Sequence, residues 1–400
     1  MVTTLLAASP STLLAEAPFA AGDARNPVRI GAIASTTGLA QEQGTNWLNG
    51  ALMARDELEK SGLHVELFVE NDQTNPASAV TAFHALASSR RVSALLGGTW
   101  DFLAEPLYPL VDRSKMPFIT MTNPVELMPP VARHSKYIFT NALGMKATKA
   151  ALRKFFRVQK PKRIALLTPA FAFTLAHATV VKELAQELHI EIVFSEEPSY
   201  DDVNASLKTM VTRLAKSGAD TVCVFFSYEF LEMLTREMSV QRVDLTLVTS
   251  QHLDAAWKLA RDKSPYRRAF GIYPAVKNEG FKRRYSERFG TPPPVYAAEG
   301  YDALMVLAQA LSKGVNFASP KSTLSVEGVL GTYRFPADST EIGGGDAVVM
   351  TTMNGVFEEY LPQRPSHPEP PTKRGISPDR GQKKAPGQFP DRGLSVSSSH

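Results

Sequence analysis

From Val28 onward the chain alternates short apolar runs with segments of helical period, and it does so twice in succession. Val28–Ala34 (VRIGAIA) has the near-continuous apolar character of a strand buried on both faces. A helix is predicted from about Asn46 to Ser61, with Trp47, Ala51, Ala54 and Leu58 on one face. His64–Val69 reads as the next strand, and Asn75 followed by Pro76 is a helix start. Val92–Leu96 and Pro117–Met121 are further strands, with a helix from Pro106 to Asp112 between them. The rhythm restarts after Gly144. Helices are expected at 147–157, 174–188, 204–217 and 230–240, and strands at 163–168, 190–194, 221–226 and 245–249. This βαβα order is the signature of a parallel sheet covered by helices on both faces. The fold class is therefore α/β, with two Rossmann-like lobes in series. Beyond them, 270–275 reads as an extended connector, 279–289 and 297–311 as helices, and 328–335 and 347–353 as strands.

The two ends differ from this body. Residues 1–27 are rich in Ala, Leu, Ser and Thr, with Ala-x-Ala-like steps at Ala15–Ala17 and Ala20–Ala24. They read as a leader or a degenerate secretory signal, because the first basic residue is Arg25 and a signal normally opens with one. Residues 362–400 hold eight prolines and few large apolar side chains, so they read as a disordered tail. Seven Lys/Arg and three Asp/Glu of that tail account for the net charge of +4, leaving 37 residues of each sign elsewhere. No basic stripe is present to neutralise phosphates, so no nucleic-acid partner is expected. No run of eighteen apolar residues occurs. The single cysteine, Cys223, rules out an intramolecular disulfide and reads as an inert core thiol in an apolar strand.

Catalytic signatures are missing from the sequence: there is no Gly-x-Ser-x-Gly elbow, phosphate-cradling lysine loop, His-Glu-x-x-His or dinucleotide fingerprint. The histidines show no metal-ligand spacing, and neither cofactor, metal nor enzymatic activity is expected. Polar chemistry gathers instead at the ends of the strands, where open α/β sheets bind ligands. Those ends read Ser35-Thr36-Thr37, Gly98-Thr99-Trp100-Asp101, Thr120-Met121-Thr122-Asn123, Thr168 with Phe171 and Phe173, Ser227-Tyr228-Glu229 and Thr249-Ser250-Gln251-His252. Hydroxyls and backbone amides at helix starts suit carboxylates or other anions, and aromatic rings supply an apolar wall. Taken singly, each Ser or Thr reads first as a helix cap, but six such ends with Trp, Phe and Tyr beside them point to a ligand cleft.

In order and spacing these segments resemble the type I periplasmic solute-binding proteins of the branched-chain amino acid, amide and urea group, which serve ABC importers. The resemblance is carried by the 29–38 run with Gly44 and Gly50-Ala51, by Glu70-Asn71-Asp72 ahead of Asn75-Pro76, and by Ala94–Gly98 and Met116–Thr120. It continues through 161–167, Gly218–Val222, the Phe281, Tyr285, Phe289-Gly290 helix, Ala298–Ala303 and Gly328–Phe335. It implies a Venus-flytrap, two lobes joined by three crossovers near 142–145, 273–276 and 330–335. On that pattern 28–142 and 276–330 form the first lobe, and 143–275 with 331–361 the second.

The resemblance further implies a small amino acid-like, amide or carboxylate ligand held between the lobes, untransformed. Its contacts fall on Thr99, Trp100, Asp101, Thr120, Met121, Thr122 and Asn123 in the first lobe. In the second they fall on Phe171, Phe173, Ser227, Tyr228, Gln251 and His252. Amino-acid binders of the group carry an acid where this chain has Gln251 or His252. Membrane permease subunits are the implied partner and the periplasm the implied location. A cytosolic amide or amino-acid sensor of the same fold is the alternative.

Overall fold

The computed structural model describes residues 22–23, 25–121, 124–169, 172–198, 203–318, 324–336, 339–343 and 345–361. Residues 1–21, within the expected leader, Thr122, Asn123, Phe171 and the expected tail from Pro362 lie outside the described residues. In chain order the first lobe runs β1 (Val28–Ala34), α1 (Gln41–Lys60), β2 (Val65–Asn71), α2 (Pro76–His84) and β3 (Ala94–Gly97). It continues with α3 (Asp101–Ala104), α4 (Tyr108–Ser114), β4 (Phe118–Thr120), α5 (Pro130–Arg133) and β5 (Ile138–Thr140). These strands form one parallel sheet in the order β2-β1-β3-β4-β5.

The second lobe holds α6 (Met145–Gln159), β6 (Arg163–Leu167), α7 (Ala172–Leu188), β7 (Glu191–Glu196) and α8 (Val203–Lys216). Then come β8 (Thr221–Val224), α9 (Tyr228–Val240), β9 (Thr246–Thr249), α10 (Leu253–Leu259) and β10 (Ala269–Pro274). After these the chain forms α11 (Glu279–Phe289), α12 (Val295–Ser312), β11 (Val326–Glu327), β12 (Thr332–Tyr333), β13 (Ala347–Thr351) and β14 (Glu358–Glu359). The second sheet has the order β14-β13-β10-β9-β8-β6-β7, parallel from β7 to β10 and antiparallel at β13 and β14.

The α/β class, the parallel first sheet and the parallel part of the second follow from the alternation read in the sequence. Two local expectations shift. Helix α1 starts at Gln41, five residues before the expected start, because Gly44 lets its first turn rest on the Ser35 carbonyl, where a β-carbon would collide. A glycine inside a helix is read as loop from sequence, but here it permits the close approach. The strand expected at 328–335 is instead a short hairpin, β11 with β12, whose 328–331 turn is gripped by the buried Asp302 carboxylate. Val329 N donates to it at 2.7 Å, Leu330 N at 2.8 Å and the Tyr333 hydroxyl at 2.8 Å.

Helix α12, late in the chain, packs against α1 in the core of the first sheet. Ala297, Tyr301 and Leu304 meet Trp47, Ala51 and Ala54 there. Gly50 and Gly300 make this contact reciprocal: a β-carbon on the first would strike the Ala297 carbonyl, and on the second the Trp47 carbonyl. The last crossover also moves. Phe335 and Ile342 belong to the first lobe's core, and Ile342 N donates to Thr140 O at 3.2 Å. The chain therefore leaves the first lobe after Ile342, not at 330–335, because the Phe335 ring packs edge-on against Phe139 before the crossing. Ala275 N donates to Asp346 O at 2.9 Å, so the second and third crossovers run side by side.

Candidate functional site

The first half of the candidate site is the carboxyl edge of the first sheet. Ser35, just past β1, donates its backbone N–H to Thr99 Oγ1 at 2.9 Å and its hydroxyl to Asp72 Oδ1 at 2.6 Å. Asp72 is fully buried, and burial raises its carboxyl above the ordinary range despite the bonds from Ser35 and Thr74. Gly97 and Gly98, both at positive φ, turn the chain sharply after β3 and bring Thr99 and Trp100 to the edge. The Trp100 indole N–H donates to Gln43 Oε1, and its ring meets Phe102 edge-on at 5.8 Å. Asp101, the first residue of α3, accepts from the Phe102 N–H at 2.9 Å. Thr120 and Met121 are buried at the end of β4.

The second half is a ring assembly on the carboxyl edge of the second sheet. Phe173 stands in the first turn of α7, and His177 one turn later lies 4.3 Å from it, centroid to centroid. His177 is stacked on Phe225 at 4.7 Å and 25°. Its Nδ1 is 2.8 Å from the Phe173 carbonyl; a carbonyl can only accept, so Nδ1 carries the proton and Nε2 is the acceptor. His252 meets the other edge of Phe173 at 6.2 Å. Burial pushes the pKa of each imidazole down to about 4, and His252 is further lowered by His177, so both are neutral at pH 7. Ser227 accepts from Phe230 N at 3.4 Å and serves as the cap of α9. Tyr228 follows it, half-buried, its hydroxyl pushed upward by burial and by Glu229.

The two edges face each other. Tyr296, at the start of α12, packs against the cores of both lobes and lies beside Gln251 at the seam. Glu42 of α1 faces Asp254, Lys258 and Glu229, and its carboxyl is raised by burial and then by Asp254. The start of α7 lies against the 125–127 turn of the first lobe. Asp254 is held from behind: the Tyr273 hydroxyl is 3.0 Å from both its Oδ1 and its N–H.

Of the residues singled out in the sequence, Thr99, Trp100, Asp101, Thr120 and Met121 come together on one edge. Phe173, Ser227, Tyr228, Gln251 and His252 come together on the other. Glu42, Gln43, His177, Asp254 and Tyr296 were not singled out. His177 had a signal, its i+4 spacing from Phe173 on one helix face. Tyr296 had none, since its place at the seam depends on where α12 packs. Among the described residues no group of three metal-ligating side chains is found, and no helix is long and apolar enough to cross a membrane.

Residues 27–340 match the family described as periplasmic binding protein. The chain belongs to that family. It is a family of solute-binding proteins, not enzymes. No curated protein sequence matches the chain at a significant level. Solved structures of periplasmic binding proteins share the fold. The branched-chain amino acid transporter substrate-binding protein LivJ of Streptococcus pneumoniae, in complex with isoleucine, has a TM-score of 0.72 and 19% identity, over 84% of this chain and 99% of its own. The leucine-binding protein LivK of Thermotoga maritima has a TM-score of 0.69 and 17% identity, over 84% and 98%. An ABC transporter solute-binding protein of Rhodopseudomonas palustris, in complex with 3,4-dihydroxybenzoic acid, has 0.67 and 17%, over 81% and 93%. These likenesses establish the type I periplasmic binding fold for this chain.

Proposed function

We propose that this periplasmic binding protein is the solute receptor of an ABC importer, working in the periplasm and presenting its closed form to permease subunits in the membrane. Its ligand is a small amino acid-like, amide or carboxylate molecule held between the lobes. The observation that carries this reading is the meeting of two polar, aromatic strand edges across one seam, with Tyr296 and Gln251 already in contact there. On the first lobe, Thr99 and Thr120 hydroxyls with the amides around Trp100 and Asp101 receive the ligand's carboxylate or amide oxygen. On the second, Phe173, Tyr228, Gln251 and His252 receive the rest. A ligand touching both edges favours the closed arrangement because it binds that state better, and only such differential affinity moves the equilibrium.

The test is a thermal-shift screen of the purified chain against leucine, isoleucine, small amides, urea and aromatic acids. A true ligand at a hundred times its Kd adds about 2.7 kcal/mol of stability by mass action. For a folded body of this size, at about 2.1 cal/mol/K of unfolding entropy per residue, that is a rise of roughly 4 °C in Tm. A panel in which no solute raises the Tm refutes the receptor reading.

A further inference from the structure

The floor of the second half of the cleft carries hydrogen-bonding groups but no fixed charge. Thr168, just past β6, and Ser250, just past β9, are 4% and 2% exposed, and their hydroxyls have no partner among the described residues. Thr249, the last residue of β9, is in the same condition. Buried hydroxyls are nearly always satisfied, so orphans at the carboxyl ends of β6 and β9, on either side of β8, point to a group supplied from outside the fold. Between them the sheet carries Phe225, with His177 stacked on it and Phe173 beyond, and His252 closes the edge. The imidazoles here are neutral, for burial disfavours their charged form. Asp254 is already engaged by the Tyr273 hydroxyl, stands 3.7 Å from Lys258 and is grouped with Glu42 and Glu229 at the seam beside this floor. Gln251 lies beside Tyr296. A guest charge of either sign would lose its water over this floor without gaining an opposite one.

The geometry points to a ligand whose second-lobe end is a flat, uncharged, hydrogen-bonding group, an aromatic carboxamide or its like, lying against Phe173 and His252 with its polar edge on the hydroxyls of Thr168 and Ser250. This rests on the receptor reading above and narrows its ligand class. A neutral imidazole both donates and accepts, and a hydroxyl does the same, so together they complement an amide, which offers both functions in one plane.

Titration calorimetry on the full chain tests this with three probes that share one carboxylate and differ only at the far end. Terephthalamate carries a neutral amide, para-(aminomethyl)benzoate an ammonium, and terephthalate a second carboxylate. Terephthalamate is expected to bind at least tenfold more tightly than either of the others. The double variant Thr168→Val, Ser250→Ala is expected to weaken it about tenfold with an unchanged Tm. His252→Asp is expected to invert the order in favour of the ammonium. The inference is overturned if the ammonium or the dicarboxylate binds as well as the amide, if all three are silent, or if the double variant binds terephthalamate as tightly as the native chain. Silence of all three alongside a Tm rise with leucine overturns the ligand class and leaves the receptor reading standing. Silence of every solute, leucine included, overturns both.

Discussion

Replacing Glu299 by Gln should remove most of the alkaline sensitivity of this protein. Glu299 lies on α12 at 2% exposure, one helical turn from Asp302. Asp302, with two backbone amides and the Tyr333 hydroxyl pointing at it, is the better placed of the two to carry charge. Burial, and then the charge on Asp302, push the Glu299 carboxyl up from 4.5 to about 8. The native state thus holds a proton that the unfolded chain releases. Stability from this group is complete below pH 4.5, declines as pH rises, and is lost once pH has passed through about 8. Each unit of pKa difference corresponds to about 1.4 kcal/mol, so the loss between pH 5 and 8 is roughly 4 kcal/mol. Glutamine keeps the shape and does not titrate. Urea unfolding at pH 5, 6, 7 and 8 should show the native chain falling steadily behind the Gln variant. Asp302, itself raised to about 6, leaves the variant a smaller slope of the same sign. Parallel curves for the two proteins would refute the reasoning.

Three further outcomes are expected. Phe173→Ala should weaken ligand binding by roughly tenfold to a hundredfold, the value of an aromatic wall, with little change in Tm; unchanged affinity in calorimetry would remove this ring from the site. Gly50→Val should lower stability by about 3 kcal/mol, since its side chain has only the Ala297 carbonyl to occupy, and a melt superposable on the native one would contradict the α1–α12 contact. His177 and His252 should remain neutral down to about pH 5 in imidazole NMR titration. With a folded pKa near 4 against an ordinary 6.5, the stability tied to buried His177 is whole above pH 6.5 and drains away as pH falls toward 4. An imidazole already half-protonated at pH 6.5 would show the ring assembly open to water.

The seam itself has a mixed character with consequences for closure. Tyr296 and Gln251 join the lobes, while Glu42 faces two acids and one lysine across the same gap. Like charges at this edge oppose contact, so on the receptor reading proposed above the empty lobes gain little from meeting and a ligand supplies the difference. Such a balance suits a receptor that should stay open until loaded.

The local pattern of residues was enough to determine the α/β class, two sheets, and the strand ends where polar and aromatic residues gather. Those properties depend on period and on neighbours in sequence: VRIGAIA has to be a strand buried on both faces, and Asn75-Pro76 has to start a helix, whatever the rest of the chain does. Which distant residues share a surface was decided by packing alone. Trp47 and Tyr301 meet because two glycines, 250 positions apart in sequence order, let two helix backbones touch. His177 and His252 converge because the ends of β8 and β9 lie side by side under α7. The last crossover waits until after Ile342 because Phe335 has a ring-lined socket in the first lobe. None of these contacts leaves a periodic trace in the sequence. Each depends on the path of the chain between its partners, which only the folded molecule fixes.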